Sequence, residues 1–462
     1  MTSDGDLTRA LAAFAVETDA GQMQAGVTDA VRRAVLDSLG VTIAGTRHPA
    51  ARVVVDTVRA LDRAVTTGGS IIAGSARRTD PLNAALANGV MAHVLDWDDT
   101  LLPMRLHQSA TLVPALLALG ESRGWTGGDI VPAFAVGFEI QARLAAAVTP
   151  EMQERGWHGT GVVGGVGVAA ALARLLGLDA AAAAHAMGIA ATGGAGLVAT
   201  FGSMSKALNL GRAGALGVQS ALLAEHGFTS HPDIVGAGGF LAMYGDEPRL
   251  AGLLDELGSR WAVTDNGYKP YPCGVVAHAA IDGVRELRAA LGGPMPAVIR
   301  LTVPPETVRL MGNSDPASGL EAKFSVRYVA SVAWIEGEVL PDAFEDGRVA
   351  DPRYRDAMAR LHVKVRSDLA QHESMVEIEL DGAERHTLHV EHARGTAARP
   401  MSDDELEEKF RAACRIGGNP HADRLVAAVA RLEELPLTDL AELLPGDAAL
   451  DEDPGPKERE VG

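Results

Sequence analysis

A chain of 462 residues is long enough for two or three domains, and 47% hydrophobic with 22% charged residues excludes disorder, a collagenous repeat and a disulfide scaffold. Its 60 acids against 41 bases give a formal charge of −19, which argues against a nucleic-acid backbone as partner but leaves room for a basic pocket that takes a small anion. Two cysteines, Cys273 and Cys414, fit a reducing compartment and cannot supply the thiolates of an iron–sulfur cluster.

The opening Met1-Thr2-Ser3-Asp4 has no basic region followed by an apolar stretch, so no signal peptide is expected. Helix then follows helix up to about residue 265. Val31, Ala34, Val35 and Leu39 share one face of a helix, with Thr28 as the expected N-cap and Gly40 or Gly45 near its end. Asp80-Pro81 reads as a cap with proline at the first helical position, opening a helix towards Leu95. Further helices are expected from near Asp129, Gly159, Asp179, Lys206 and Asp246. The uncharged run 180–205 is rich in alanine and glycine, which contribute little to insertion, so it reads as buried, closely packed helix and no membrane span is expected.

The pattern changes after Tyr268. Ile299, Leu301 and Val303 alternate with polar residues, as do 362–366 and 375–380, and Leu388 with Val390 continue beyond an Asp381-Gly382 hairpin signal. Helices are expected between them at 274–291, 324–339 and 351–361. Ser402 with Glu405 is a capping box that opens a final helical region, and the acidic tail from Asp451 is expected to fray. The expected fold is mainly α: a large all-helical domain (1–267), an inserted smaller α+β domain (268–398), and a return to helix (399–462).

Four motifs carry possible chemistry. Gly159-Thr-Gly161-Val-Val-Gly164 matches the dinucleotide fingerprint literally, but no strand pattern feeds it, so small residues for helix packing explain it better. Asp96-Trp-Asp98-Asp99-Thr100 sets three carboxylates in four positions; buried, they would need a proton, a metal or basic partners. The cluster admits three readings: the acid motif of a terpene-cyclase-like enzyme, part of an acid–base site with Thr100 and His107, or a solvated loop. Lys206 at a helix start pairs a cation with backbone N–H groups, a carboxylate clamp, and Asn209 shares its face. His386, His389 and His392 alternate along a strand, which would keep three ligands from converging, so no metal site is expected there.

Taken in order, several segments resemble the MmgE/PrpD family over nearly the whole chain. They are 87–89 through Asp96-Trp-Asp-Asp-Thr100, His107-Gln-Ser-Ala110, Gly156-Trp-His158, Gly202-Ser-Met-Ser-Lys206, Lys269-Pro-Tyr-Pro-Cys273 with His278, Lys323-Phe-Ser-Val-Arg-Tyr328, Asp351-Pro352, and 402–410. The resemblance implies a cofactor-free, usually homodimeric enzyme with an α+β lid over a helical domain. Members include 2-methylcitrate dehydratase, cis-aconitate decarboxylase and iminodisuccinate epimerase, which share proton transfer beside a carboxylate on small polycarboxylates. It also implies Asp96, Thr100, His107, His158, Lys206, His278 and Tyr328 as site positions.

The roles expected for these residues follow from that chemistry. Lys206 stabilises developing negative charge, His158 is general base or acid, Asp96 orients a partner, Thr100 binds substrate oxygen, and His278 donates a proton from the lid side. The sequence departs from the family at Gln108, Leu101 and Asn209, the last counted here among the substrate-binding residues. The expected activity is that of a cytoplasmic, cofactor-independent lyase dehydrating a small β-hydroxy polycarboxylate. Decarboxylation or epimerisation by the same groups is the alternative, and a terpene-cyclase-like reaction the remote one.

Overall fold

A computed structural model of the chain describes residues 7–61, 69–231, 233–236, 238–293, 295–380 and 384–452. Its first part is helical: α1 (Leu7–Glu17), α2 (Ala25–Gly45), α3 (Pro49–Leu61), a two-residue ribbon of β1 (Ser70–Ile71) and β2 (Arg78–Thr79), α4 (Pro81–Val94), α5 (Ser109–Arg123), α6 (Gly127–Val148), α7 (Glu151–Glu154), α8 (Gly159–Leu175), α9 (Ala180–Thr192) and α10 (Ser205–Glu225). The second part holds α11 (His278–Leu291), β3 (Val298–Val303), α12 (Pro305–Met311), α13 (Gly319–Ala322), α14 (Val326–Glu336), α15 (Asp346–Val349), α16 (Pro352–Ala359), β4 (Leu361–Val365), β5 (Ser374–Glu379) and β6 (Arg385–Val390). Helices α17 (Asp403–Gly417), α18 (Ala422–Ala430) and α19 (Leu437–Ala441) close the chain.

Local chemistry sets several helix starts. The Asp80 carboxylate accepts from the Asn83 N–H ahead of Pro81, and Asp179 does the same for Ala182 at the start of α9. Full capping boxes join Thr126 to Asp129 at α6 and Ser402 to Glu405 at α17. Helix α10 starts at Ser205, beside Lys206 as expected, with no side-chain cap. Two starts differ from the sequence-based reading. Helix α2 begins at Ala25, so Thr28 lies inside it and Gln24 takes the cap position. No helix opens at Asp246: its N–H is taken by Glu151 and its carboxylate by Arg155.

Buried apolar side chains fall into two large clusters. One draws on residues from Leu7 to Tyr268 and again from Met401 to Leu450. The other runs from Tyr271 to Ile378 and lies between the sheet and the helices on it. The sheet has the order β4-β3-β5-β6, with β3 parallel to β4 and antiparallel to β5. Ile299, Leu301 and Val303 of β3 point into this second core. The Asp381-Gly382 turn and the tail beyond residue 452 lie outside the described residues. In β6, His386 and His389 fall on opposite faces, and His392, past the strand end, stacks on His372 at 5.0 Å.

Small residues bring the helices of the first part close. A Cβ at Gly211 would stand 2.4 Å from the Leu86 carbonyl oxygen, and one at Gly89 would stand 2.8 Å from the Gly211 Cα, so α4 and α10 approach at backbone contact. Gly164 serves the same purpose, since a Cβ there would stand 3.1 Å from Thr111 Cγ2 of α5 and 3.2 Å from Ala213 Cβ of α10, while Gly161 lets the loop after α9 approach, with the Ala195 carbonyl 2.5 Å from where its Cβ would be. Among the described helices, α6 is long and apolar enough to cross a membrane, and 89% of its apolar window is buried inside the protein.

Candidate active site

Between the two parts lies a cavity that opens to solvent. From the helical part it takes Asp96, Arg105, His107, His158 and Lys206, and from the second part Lys269, the stretches 274–276 and 309–311, and Phe324. Four basic side chains and one acid therefore line it.

The segment after α4 explains how three neighbouring aspartates can be buried. Asp96, Asp98 and Asp99 are 3%, 1% and 0% exposed, which rules out the solvated loop. Each has a separate remedy. Asp96 Oδ1 lies 2.5 Å from Lys269 Nζ and 3.0 Å from Lys206 Nζ. Asp98 Oδ2 meets His93 Nδ1 at 2.8 Å. Asp99 Oδ2 accepts from Ser109 and, at 2.7 Å, from Asn266 Nδ2. Burial raises the Asp99 carboxyl to about 7, and the nearby charges of Asp37 and Asp98 add to the rise. Burial would also raise Asp96, but the ammonium charges of Lys206 and Lys269 outweigh it and hold this carboxyl well below its ordinary range.

Asp96 sits at φ 53°, a left-handed conformation that costs a non-glycine residue about 1 kcal/mol or more. Its backbone carbonyl also accepts from Lys269 Nζ at 3.2 Å, and its Oδ2 has no hydrogen-bond partner among the described residues. Lys206 stands at the second position of α10, 6% exposed, and its ammonium lies over the rings of Phe201 and Phe324 at 5.1 and 5.4 Å. Although 3.0 Å from Asp96, it makes no aligned hydrogen bond, so its N–H groups remain available to a ligand.

Three imidazoles crowd beside this pair. His158 occupies the cap position of α8 without capping it; Asn209 Nδ2 lies 3.3 Å from its Nδ1, and its buried Nε2 has no partner among the described residues. His107 Nδ1 bonds the Asp99 carbonyl at 2.7 Å. The ring centroids of His93 lie 4.8 Å from His107 and 5.7 Å from His158. Burial pushes all three well below the ordinary imidazole range, with nearby cations adding to the effect, so they are neutral. Ligand-capable nitrogens of His93, His107 and His158 lie within 4.8 Å of one another, the spacing of a metal site. The ammonium groups of Lys206 and Lys269 share that space, and a divalent cation would meet their repulsion, so the donor set suits an anion better.

The structure thus gathers Asp96, His107, His158 and Lys206 on one cavity. The other expected residues stand elsewhere. Thr100 pairs its backbone with Gly267 and buries an Oγ1 that has no partner among the described residues. Asn209 borders a separate hollow with Arg212 and Gln219, touching the cavity only through His158. His278 packs edge-on against Tyr271 with Nε2 3.3 Å from the Cys273 carbonyl oxygen, and burial lowers it to about 3. Tyr328 is in the second core, its hydroxyl donating to the Ala343 carbonyl, and does not line the cavity. Sequence reasoning gave no role to Lys269, His93, Arg105 or Arg309. A lysine set among prolines and aromatics at 268–272 is the one local sign that Lys269 is buried for a purpose.

The terpene-cyclase reading fails on this lining. Such chemistry needs a protonated aspartate facing the substrate and walls that welcome carbocations, whereas the aspartate lining the cavity, Asp96, is held ionised, Asp99 with its raised carboxyl does not line it, and four basic groups surround the space.

The MmgE/PrpD N-terminal domain matches residues 9–251, and the MmgE/PrpD C-terminal domain matches 271–434. Cis-aconitate decarboxylase of Homo sapiens is 27% identical over 383 residues, covering 78% of each chain. The Mus musculus enzyme of the same name is 27% identical over 453 residues, covering 92% of this chain and 91% of its own. A cis-aconitate decarboxylase-like protein oryM of Aspergillus oryzae is 28% identical over 154 residues, about a third of each chain.

Proposed function

Because the chain belongs to the MmgE/PrpD family, we propose that it is a lyase that moves a proton beside a carboxylate of a small polycarboxylate, releasing CO2 from an unsaturated tricarboxylate of the cis-aconitate kind. The observation that carries this reading is the cavity itself: four basic side chains against one acid, in a chain whose formal charge is −19. A protein so acidic concentrates buried positive charge at one place to hold a polyanion.

In such a substrate the electrons of the bond to the departing carboxylate form a new C=C bond. The former double bond shifts its pair to its far carbon, and that carbon takes one proton. CO2 leaves, and a dicarboxylate remains. Negative charge spreads onto the conjugated carboxylate as the electrons move, and Lys206 with Lys269 meets it there. His158 is the proton carrier. Burial keeps it neutral, and a polyanion bound beside it raises its affinity for a proton, so the substrate charges its own acid. Residues 268–398 act in this reading as a lid, since they supply the wall that faces the histidines.

Proton NMR in D2O with cis-aconitate tests the assignment. The expected record is loss of the single vinylic signal, two new terminal =CH2 signals, and one deuterium in the product. A vinylic signal growing from citrate, or replacement of the 2-methylcitrate methyl doublet by an allylic methyl singlet, would instead assign dehydration. Solvent deuterium entering a stereocentre of iminodisuccinate without net loss would assign epimerisation. Inertness towards all of them would remove the polycarboxylate reading.

A further inference from the structure

The cavity contains a second pair of cations that the chemistry above does not use. Arg105 lies in the 101–108 segment of the helical part and Arg309 on α12 of the second part, and both line the cavity. One acid joins them: Arg105 Nη2 is 2.6 Å from Glu306 Oε1, and Arg309 Nε donates to Glu306 Oε2 at 2.7 Å. Gln153 and Gln371 complete the setting through Arg105, the latter at 2.7 Å. Two guanidinium groups meet here across the partly buried Glu306, with the exposed Glu154 also acting on Arg309. This cluster is separate from the lysine pair, which has its own acid in Asp96.

The backbone adds an independent sign. Among the described residues, four that are not glycine have a φ near +50°: Asp96, Arg105, Glu256 and Ala448. Two of those four line this one cavity. A long side chain held in an uncommon backbone conformation, 10% exposed, is aimed rather than merely accommodated. Arg105 also suffers for its place: burial lowers its proton affinity, and the charge of Arg309 works in the same direction despite Glu306. Two guanidiniums that repel each other across Glu306 favour a further anion on the cavity side.

We propose that Arg105 and Arg309, spaced by Glu306, form a distinct carboxylate subsite that binds the second carboxylate of a di- or tricarboxylate substrate while the lysine pair holds the reacting one. The inference rests on the polycarboxylate reading above and deepens it. Because Arg105 and Arg309 come from the two parts of the molecule, a carboxylate bridging them also draws the second part onto the helical one. Monocarboxylates reach only the lysine end, so selection for substrate length arises here rather than at the histidines.

Calorimetric titration of the full chain with propane-1,2,3-tricarboxylate, which is unreactive, and with crotonate, which has a single carboxylate, tests this. R309Q is the main variant because Arg309 is partly exposed and its replacement leaves the Arg105–Glu306 pair intact; R105Q is the second. Each is expected to weaken tricarboxylate binding about tenfold or more while crotonate binding stays within about twofold. E306Q, which removes the competing acid, is expected to bind the tricarboxylate at least as tightly as the unaltered chain. Wild-type affinity for the tricarboxylate in both arginine variants would overturn the subsite, as would equal losses for the two ligands. Failure of the unaltered chain to bind the tricarboxylate at all would instead overturn the polycarboxylate reading on which the subsite rests.

Discussion

Lys269 reaches Asp96 across 173 positions of sequence, its Nζ 2.5 Å from the Asp96 Oδ1 and 3.2 Å from the Asp96 carbonyl oxygen. Lys206 approaches the same Oδ1 from α10. One carboxylate thus carries two buried ammonium groups, and the balance favours the charged form of all three only while all are present. The attraction of Asp96 and Asp98 overcomes burial and raises Lys269, whereas burial dominates at Lys206 and lowers it.

Replacing Asp96 by asparagine keeps the shape and removes the charge. It leaves two ammonium groups buried without a counter-ion, which is expected to cost about 3–5 kcal/mol of stability together with nearly all turnover. K269M is expected to destabilise more than K206M, because Lys269 makes two aligned hydrogen bonds and Lys206 makes none. Urea denaturation gives the order directly. Equal stability of D96N and the unaltered chain would mean that the lysines are neutral in the folded protein.

His158 and Asn209 divide two effects that one substitution would merge. H158A removes the proton carrier and is expected to lower kcat by about 10²–10⁴-fold with little change in KM. N209A leaves the ring but frees its orientation, so a smaller loss in kcat is expected, with N209Q or N209S restoring part of it. Turnover by H158A near that of the unaltered protein would pass the proton to His107 or His93.

Features decided by neighbours in sequence were legible in it, and those decided across the fold were not. The Asp80-Pro81 start of α4 and the Ser402–Glu405 box of α17 depend on four consecutive residues, and both form as read. Asp246 has the same local look, but its carboxylate is claimed by Arg155, a partner that no local pattern announces. The site divides the same way. Asp96, His107, His158 and Lys206 were singled out by their motifs, and the fold brings them to one cavity. Arg105 and Arg309 carry no motif, and their meaning comes from the shared contact with Glu306. Tyr328 sits in a segment that matches the family, yet its hydroxyl is spent on the Ala343 carbonyl inside the second core.

Asp99 makes stability depend on acid pH. Its carboxyl stands at about 7 against an ordinary 3.8, so between those values the folded chain binds a proton that the unfolded chain has released. Stability must therefore fall as pH rises from about 4 to about 7, by up to ~4 kcal/mol from this group. D99N, which stays uncharged and keeps an acceptor for Ser109 and Asn266, is expected to flatten that slope. Denaturant midpoints for both proteins at half-unit pH steps provide the check, and parallel curves would show that Asp99 is ionised throughout.

Lys323 acts on the alkaline side with the opposite sign. Its Nζ donates to the carbonyls of Leu95 at 2.8 Å and Pro272 at 2.9 Å, and so ties the end of α4 to the entry of the second part. Burial lowers it from 10.5 to about 7, with the charges of Lys206 and Lys269 adding to the effect. Between those two values the unfolded chain carries a proton that the folded chain has lost, so stability rises with pH across this window, by up to ~5 kcal/mol. K323M removes the titration at the loss of two hydrogen bonds. Its stability is expected to be level from pH 7 to 10 while that of the unaltered chain climbs, making the variant relatively weakest at the alkaline end. A slope that survives in K323M would assign the alkaline dependence to Lys206 or Lys409, the other buried lysines that burial lowers.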